Sequence, residues 1–584
     1  MSTSVDQAAL SEVERIKHES AGLRGTLPAE LASDATHLSD AAKHLLKFHG
    51  SYEQEDRSQR KERKRAGLEP AYQYMVRSKL PGGTMTAHQY LAQDALADRY
   101  GDGTLRVTTR QGFQFYGVAK RDLRGTIHDL NQALITTFGA CGDVVRNVVC
   151  CSAPVEGTLR TQVAEWARTL SDALLPRTRA YHEIWVEGSR VTTDEAPVDD
   201  PLYGTQYLPR KFKIAFAFPD DNCTDVFSND LGLVVVARGD RIDGFNVLVG
   251  GGLGQTHNKP DTYPRLASPL AFVRPAELVE VARAVIGVQR DWGNRTNRKR
   301  ARLKYLLDEQ GVDWFRGQVE LALGRPLPPY RDVEVTGFHD HLGWHRQDGG
   351  RWFRGVWIES GRIRDDGALR LRTALRRVVR EFGTDVYLTT QQNLLLVGVR
   401  TEDRDAVDAV LRAHGVPAPQ ELSQVRRHAM ACPAIPTCPL AVADAERALP
   451  GVVARLEGEL AGMGLGDVPL AVRMTGCPNG CARPYTADLS FVGRSLGKYQ
   501  VYVGGNLEGN RLAELYADLV PLDALAAVVR PLFERFRDAR LPGERFGDFW
   551  ARTGLVPLDA AQDEIRPRAR AAAVPVPHAT PEAA

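Results

Sequence analysis

Cysteine is scarce: the chain has eight in 584 residues. That is far too few for a disulfide scaffold. No run approaches the ~20 apolar residues of a membrane-spanning helix. The opening segment MSTSVDQAALSEVERIKHES lacks the basic stretch and apolar core of a secretory signal. These absences point to a cytoplasmic chain with reduced thiols and no membrane partner. Excess charge is also lacking, with 75 Lys+Arg against 73 Asp+Glu and a formal net charge of +2. Aromatics are only 8%, and no helix-turn-helix, RRM-like or zinc-finger pattern occurs, so nucleic acid is not the expected partner. With 43% hydrophobic and 25% charged residues, the composition excludes collagen, wholesale disorder and a bare coiled coil.

What is present is strongly clustered. Four of the eight cysteines fall between positions 432 and 481. They read Ala-Cys432-Pro-Ala-Ile-Pro-Thr-Cys438-Pro and Gly-Cys477-Pro-Asn-Gly-Cys481. Four thiolates are the ligand set of a [4Fe–4S] cluster. A structural zinc site is the rival, but its paired ligands usually stand two to four residues apart, and the first pair here is wider. Pro439 suits the first position of a helix over LAVADAERAL, which would put Cys438 at its N-cap. Pro478-Asn479-Gly480 predicts a tight turn that brings Cys477 and Cys481 to one centre. The other four, Cys141, Cys150, Cys151 and Cys223, lack such spacing and read as core residues.

The chain also repeats itself. Val107-Thr-Thr-Arg-Gln-Gly-Phe-Gln-Phe-Tyr-Gly-Val118 aligns with Leu388-Thr-Thr-Gln-Gln-Asn-Leu-Leu-Leu-Val-Gly-Val399, each after a helical segment. Further on, Val247-Leu-Val-Gly-Gly-Gly-Leu253 aligns with Val501-Tyr-Val-Gly-Gly-Asn-Leu507, each preceded by an Asp-Leu strand start at Asp230 and Asp488. Two matches in the same order indicate duplication, hence two similar halves about a pseudo-two-fold axis. Short β-branched runs mixed with helices make the fold class α/β or α+β. At ~150 residues per domain the length allows three or four domains. The mixed-charge run Arg57 to Arg65 reads as a solvated helix face, and the Ala/Pro-rich tail 566–584 as disordered. Gly250 to Gly254 departs from the G-x-G-x-x-G phosphate loop and reads as a strand-end bend.

Cations gather in the first half. Arg77 precedes a Pro-Gly-Gly turn. Arg106 and Arg110 alternate with Thr on a predicted strand (R-V-T-T-R), so both are expected to point to one face. Arg146 lies in Val-Val-Arg-Asn-Val, Lys211 and Lys213 stand two apart in Pro-Arg-Lys-Phe-Lys, and a basic block runs from Asn294 to Lys304. Cations paired inside apolar strands suit a polyanionic ligand.

These residues carry a family resemblance. Met430-Ala-Cys432, Pro-Thr-Cys438-Pro, Thr475-Gly-Cys477-Pro-Asn-Gly-Cys481, Leu105-Arg-Val-Thr-Thr-Arg-Gln111, Arg146-Asn147, Pro209-Arg-Lys-Phe-Lys213 and Asp291-Trp-Gly-Asn-Arg-Thr296 closely resemble the assimilatory sirohaem sulfite reductases. The likeness is to the haemoprotein (beta) subunits of the NADPH-dependent enzymes and extends from Glu14 to Phe549. Sirohaem nitrite reductases share the cluster motif and the Arg pair. The resemblance implies the sulfite/nitrite reductase fold, internally duplicated, with three domains around sirohaem and a [4Fe–4S] cluster. It implies an arm over 1–70 for partner docking, a ferredoxin-like duplicated domain from 71–140 plus 335–415, a first sirohaem-binding domain over 141–334, and a cluster and sirohaem domain over 416–565. Cys432, Cys438, Cys477 and Cys481 would hold the cluster, with Cys481 bridging to the sirohaem iron. Arg106 and Arg110 would hold sirohaem carboxylates. Arg77, Arg146, Lys211 and Lys213 would bind sulfite during its six-electron reduction to sulfide. Tyr116, where relatives often carry His, and the run 142–145 before Arg146 depart from the family pattern and bear on sulfite-versus-nitrite preference. No flavin or nicotinamide motif is visible, so a flavoprotein (alpha) subunit or a ferredoxin would supply electrons. The rival readings are a nitrite reductase, a non-catalytic Fe–S/haem electron carrier and a zinc-stabilised nucleic-acid binder.

Overall fold

In a computed structural model, the structure describes residues 9–177, 185–186, 189–190 and 200–558. The proposed disordered tail lies outside them.

Each repeat of the first pair is a helix followed by a hairpin. Helix Ala87–Tyr100 starts at a capping box of Thr86 with Gln89 and precedes strands Leu105–Val107 and Phe113–Val118. Helix Leu371–Phe382 ends at Gly383, whose φ is 63°, and precedes strands Asp385–Leu388 and Leu394–Val399. The connecting turns are alike. Thr108 and Thr389 donate their N–H to the carbonyls of Gly112 and Asn393, at 3.1 and 2.9 Å. Gln111 and Gln392 both take positive φ, 52° and 65°. The strand expected to run on from Arg106 therefore stops at Val107, and Arg110 sits in a turn, so the shared-face reading of that pair fails.

The two halves exchange strands. In one five-stranded sheet, Arg362–Ile363 from the second half pairs with Leu105–Arg106 of the first. In the other, Thr84–Met85 from the first half pairs with Val386–Tyr387 of the second. Each sheet thus has an edge covered by its neighbour, which removes an exposed row of backbone donors and acceptors.

The second repeat pair also forms matched sheets. Ile214–Ala217 runs parallel to Leu231–Arg238, which continues antiparallel into Arg241–Val249. Val472–Thr475 runs parallel to Leu489–Ser495, which continues into Lys498–Val503. The Asp-Leu starts have one job in both: Asp230 accepts the Lys213 N–H at 2.9 Å and Asp488 that of Ala471 at 2.8 Å, fixing the parallel neighbour. One apolar core joins both ferredoxin-like halves and the first of these sheets, and a second fills the region from Val425 to Trp550.

The described residues of the expected arm, 9–70, pack against the rest of the chain. Ser51–Glu55 is an edge strand paired with Tyr72–Val76. Lys17 is buried, donates to the Leu208 carbonyl at 2.7 Å, and lies 3.7 Å from Asp143. The helix Arg60–Arg65 has no buried residue, as a solvated face should.

Candidate functional site

The two cysteine loops meet because their backbones share acceptors. Val442 and Ala443 both donate to the Gly476 carbonyl, at 2.8 and 3.0 Å. That claim on their N–H groups prevents the helix expected over LAVADAERAL; the next helix begins only at Leu449. Cys438 therefore has no helix terminus. The backbone N–H groups of Leu440 and Ala441 lie against its sulfur instead. The turn at Pro478-Asn479 forms as expected, with Gly480 at φ 66°. Cys432 and Cys477 are buried, Cys438 is half-buried and Cys481 exposed.

The four sulfurs feel one another. Burial first, then the neighbouring thiolates, pushes Cys432 well up, raises Cys438, and raises Cys477 to about 12. Such a set is not stable as four bare thiolates. It fits a cationic cluster core, which deprotonates its ligands and offsets their repulsion.

Next to Cys481 lies a cleft of one sign. Arg110, Lys211, Lys213, Arg302 and Arg483 line it, with Asn479, Gly480 and Cys481 on one wall. Lys211 and Lys213 flank Phe212, which bridges to Val145, and both side chains face the cleft. Arg110 reaches it from its turn, donating to Asn229 Oδ1 at 2.6 Å and to the Ile214 carbonyl at 2.9 Å. Thr109 in the same turn donates to the Cys481 carbonyl at 3.2 Å. Burial and mutual repulsion dominate the electrostatics. Lys211 is lowered well below the usual lysine range, by burial and then by Lys213, Arg210, Arg302 and Arg146. Lys213 falls to about 7, by burial and then by Arg302 and Arg110. The compensating carboxylates are few. Asp230 is spent on Arg302, at 2.9 and 2.8 Å. Asp225 is spent on Arg473 and Arg483, at 3.0 and 2.8 Å.

Arg77 and Arg146 stand close by. The Arg77 guanidinium senses Cys141, Tyr52, Tyr116 and Cys481, and its Nε has no partner. Arg146 is held by the Gly142 carbonyl at 2.7 Å. Gly142 has φ 88°, and a Cβ there would meet Phe48 at 2.7 Å, so this departure from the family run still supports Arg146. Arg106 faces elsewhere. It is buried, donating to the carbonyls of Ser360 and Ala431 at 3.0 and 2.7 Å and pairing with Glu446 at 3.0 Å, so it backs the Cys432 loop. The Tyr116 hydroxyl is buried and donates to Gln114 Oε1 at 2.8 Å.

Two cleft cations escaped the sequence reading. Arg302 was hidden in the Asn294 to Lys304 block, and Arg483 lies two residues past Cys481. Neighbouring Lys304 has a scaffold role. Its ammonium donates to the carbonyls of Gly252 and Gly254, both at 2.9 Å, and to that of Tyr263. The N–H groups of Gly250, Gly251 and Gly252 are spent on Asp230, Asn229 and Arg265. The first three amides of this Gly-rich bend are thus committed within the fold.

The cleft fits a polyanionic cofactor. Buried Arg110 Nε, Arg483 Nε and Asn147 Oδ1 lack partners, and five cations face a space with no uncommitted carboxylate on its walls.

Comparison with known proteins gives the same picture. The family model described as nitrite and sulphite reductase 4Fe-4S domain matches residues 165–327 and 423–564. The nitrite/sulfite reductase ferredoxin-like half domain matches 66–133 and 345–414. A Myxococcus xanthus protein named sulfite reductase (NADPH) hemoprotein beta-component is 48% identical, over 95% of this chain and 98% of its own. A Chromohalobacter salexigens protein of the same name is 45% identical over 93% and 95%. The solved structure of the Mycobacterium tuberculosis NirA protein aligns with TM-score 0.73 at 25% identity, covering 96% and 97% of the two chains.

Proposed function

This chain belongs to the nitrite and sulphite reductase family, and on that premise we propose that it is a sulfite reductase haemoprotein subunit, reducing sulfite to sulfide with six electrons. The observation that carries the reading is the cation-rich cleft at Cys481, beside four cysteines that feel one another. Sirohaem brings carboxylates and an iron that binds sulfur oxyanions and delivers electrons, and the cluster brings single-electron storage.

The residues divide the work. Cys432, Cys438, Cys477 and Cys481 would hold the cluster, with Cys481 on the wall of the cleft. Arg110, with Arg302 and Arg483, neutralises cofactor carboxylates. Arg77, Arg146, Lys211 and Lys213 bind sulfite, offsetting its repulsion from the carboxylates and orienting its oxygens. Lys211 and Lys213 are the proton donors, because arginine scarcely deprotonates while lysine can release its proton. Carboxylates of a bound cofactor would favour the charged form of both lysines. Arg106 acts by fixing the Ala431 carbonyl beside Cys432.

The domains in this reading are 71–140 with 335–415, 141–334 and 416–565, and residues 9–70 pack against them. Among the described residues no helix is long and apolar enough to cross a membrane. Electrons come from a separate flavoprotein (alpha) component that oxidises NADPH. Its docking face is beside Cys438: Arg57 donates to the carbonyls of Cys438 and Ala441 at 3.1 and 2.6 Å, helix Arg60–Arg65 follows, and Leu440 is 65% exposed.

The test is an absorption spectrum of the purified protein, then dye-driven turnover with sulfite and with nitrite. Haem and cluster bands with sulfide as product are expected. A colourless protein, or one that turns over nitrite alone, overturns the reading.

A further inference from the structure

Strand register matches the two halves residue by residue. Ile214 pairs with Leu231 as Val472 pairs with Leu489. Counting on from these strands, Asp225 matches Arg483, and both are left-handed residues, φ 51° and 57°, that open a three-residue 3-10 turn. Cys223 therefore matches Cys481. The parallel bridge of Val149 with Ala215 matches the pair of Met430 with Arg473, so Cys151 matches Cys432. The first half has cysteines at two of the four cluster positions of the second.

These two thiols are not alone. Cys151, Cys223, Asp221 and His341 are all buried, and their ligand atoms all lie within 4.8 Å of one another. They come from three separate segments: the strand end after Val149, the loop after Ala217, and the connection leading to the second ferredoxin-like half. His341 holds φ 56°, an uncommon conformation for a non-glycine residue. Its Nε2 lies 3.2 Å from Cys151 Sγ and 2.8 Å from Asp221 Oδ2. One nitrogen carries at most one proton, so it cannot make a full hydrogen bond to both. A metal ion satisfies all the lone pairs at once. Two sulfurs, an imidazole and a carboxylate within this span make a tetrahedral zinc set.

We propose that Cys151, Cys223, Asp221 and His341 bind a structural zinc ion, the counterpart in the first half of the cluster site in the second. Two of the four ligands would give up a proton to a bound ion: the hydrogen bond with Cys151 and burial push the Cys223 thiol well up, and Cys151 and Asp221 raise His341 to about 10 despite burial. Burial works against a Cys151 thiolate, but hydrogen bonding with Cys223 and the His341 charge outweigh it and lower the thiol to about 5. Asp221 is held well below the carboxylate range despite burial, by His341 and Arg160. Asp221 Oδ1 also accepts from the Cys223 N–H at 3.1 Å, as outer contacts of metal ligands do. The ion would tie down the loop that carries Asp225, and Asp225 holds Arg483 in the cleft. The proposal stands whether or not sulfite is the substrate.

The test uses tag-free protein with its cofactors, grown and dialysed with zinc. About one zinc per chain, counted apart from iron, is expected. Zinc-edge absorption should show two sulfurs at about 2.3 Å and two N/O ligands at about 2.0–2.1 Å. In the Cys151→Ser/Cys223→Ser variant, zinc should fall at least about tenfold while the haem and cluster bands persist. Absence of zinc from the wild type, zinc retained by the variant, or a Cys151–Cys223 disulfide in the intact mass overturns the proposal. If the variant does not fold, the wild-type spectrum decides: a shell of four sulfurs or of none also overturns it.

Discussion

At the scale of single residues, Lys213 is where the charge of the cleft can be measured. Lys213→Met should keep the haem and cluster bands and lose sulfite turnover by about 100-fold or more, the worth of a general acid; full turnover with intact spectra would remove its role. The same variant tests the electrostatics. Lysine in the unfolded chain stays protonated to about pH 10.4, but in the cofactor-free fold Lys213 releases its proton near 7. Between those values the unfolded state binds more protons, so stability rises with pH. Cofactor-free wild type should therefore gain in Tm from pH 7 to pH 10 by more than Lys213→Met does. Equal gains would show that Lys213 is not strained by its neighbours. The meeting of the two cysteine loops was legible from cysteine spacing, which survives packing detail. Arg302 and Arg483 were not, because which arginine faces a cleft is decided by tertiary partners, here Asp230 and Asp225.

At the scale of elements, the strand runs were legible, but the turns that break them and the absence of a helix after Cys438 were not. The β-branched runs 105–118 and 385–399 marked strands, yet each folds back at its Thr-Thr-x-Gln into a hairpin. LAVADAERAL has good helix propensity, but the Gly476 carbonyl captures two of its backbone donors, and tertiary contact overrides propensity. The same contact makes Gly476 intolerant of a side chain. A Cβ there would lie 2.5 Å from the Ala443 oxygen and 2.6 Å from Ala434 Cβ. Gly476→Ala should force the two cysteine loops apart, at about 1–3 kcal/mol, and yield protein with a weakened cluster absorption and a lower Tm. A second element-scale case is Gln111, whose Nε2 donates to the carbonyls of Cys150 and Leu388 at 2.9 and 2.8 Å. Gln111→Leu strands those buried carbonyls, at about 1–3 kcal/mol, readable as a shift in the denaturation midpoint.

At the scale of the whole molecule, duplication was legible from two ordered matches, but strand exchange was not. The strands involved are two residues long, too short to leave a sequence period. Exchange predicts that the ferredoxin-like halves are not separable. Fragments 9–334 and 335–558 should each be insoluble alone, with an uncovered sheet edge, and should associate when co-expressed; two soluble monomeric fragments on size exclusion would contradict this. The surface beside Cys438 is predicted to matter only for the physiological donor. Arg60→Glu/Arg63→Glu should cut NADPH-driven turnover and spare dye-driven turnover. The buried contact between Asp225 and Arg483 joins positions that the two-fold makes equivalent. Two identical chains would put aspartate against aspartate or arginine against arginine there. This attraction is open only once the two copies differ, so the pair works as a ratchet: two identical copies could not make it.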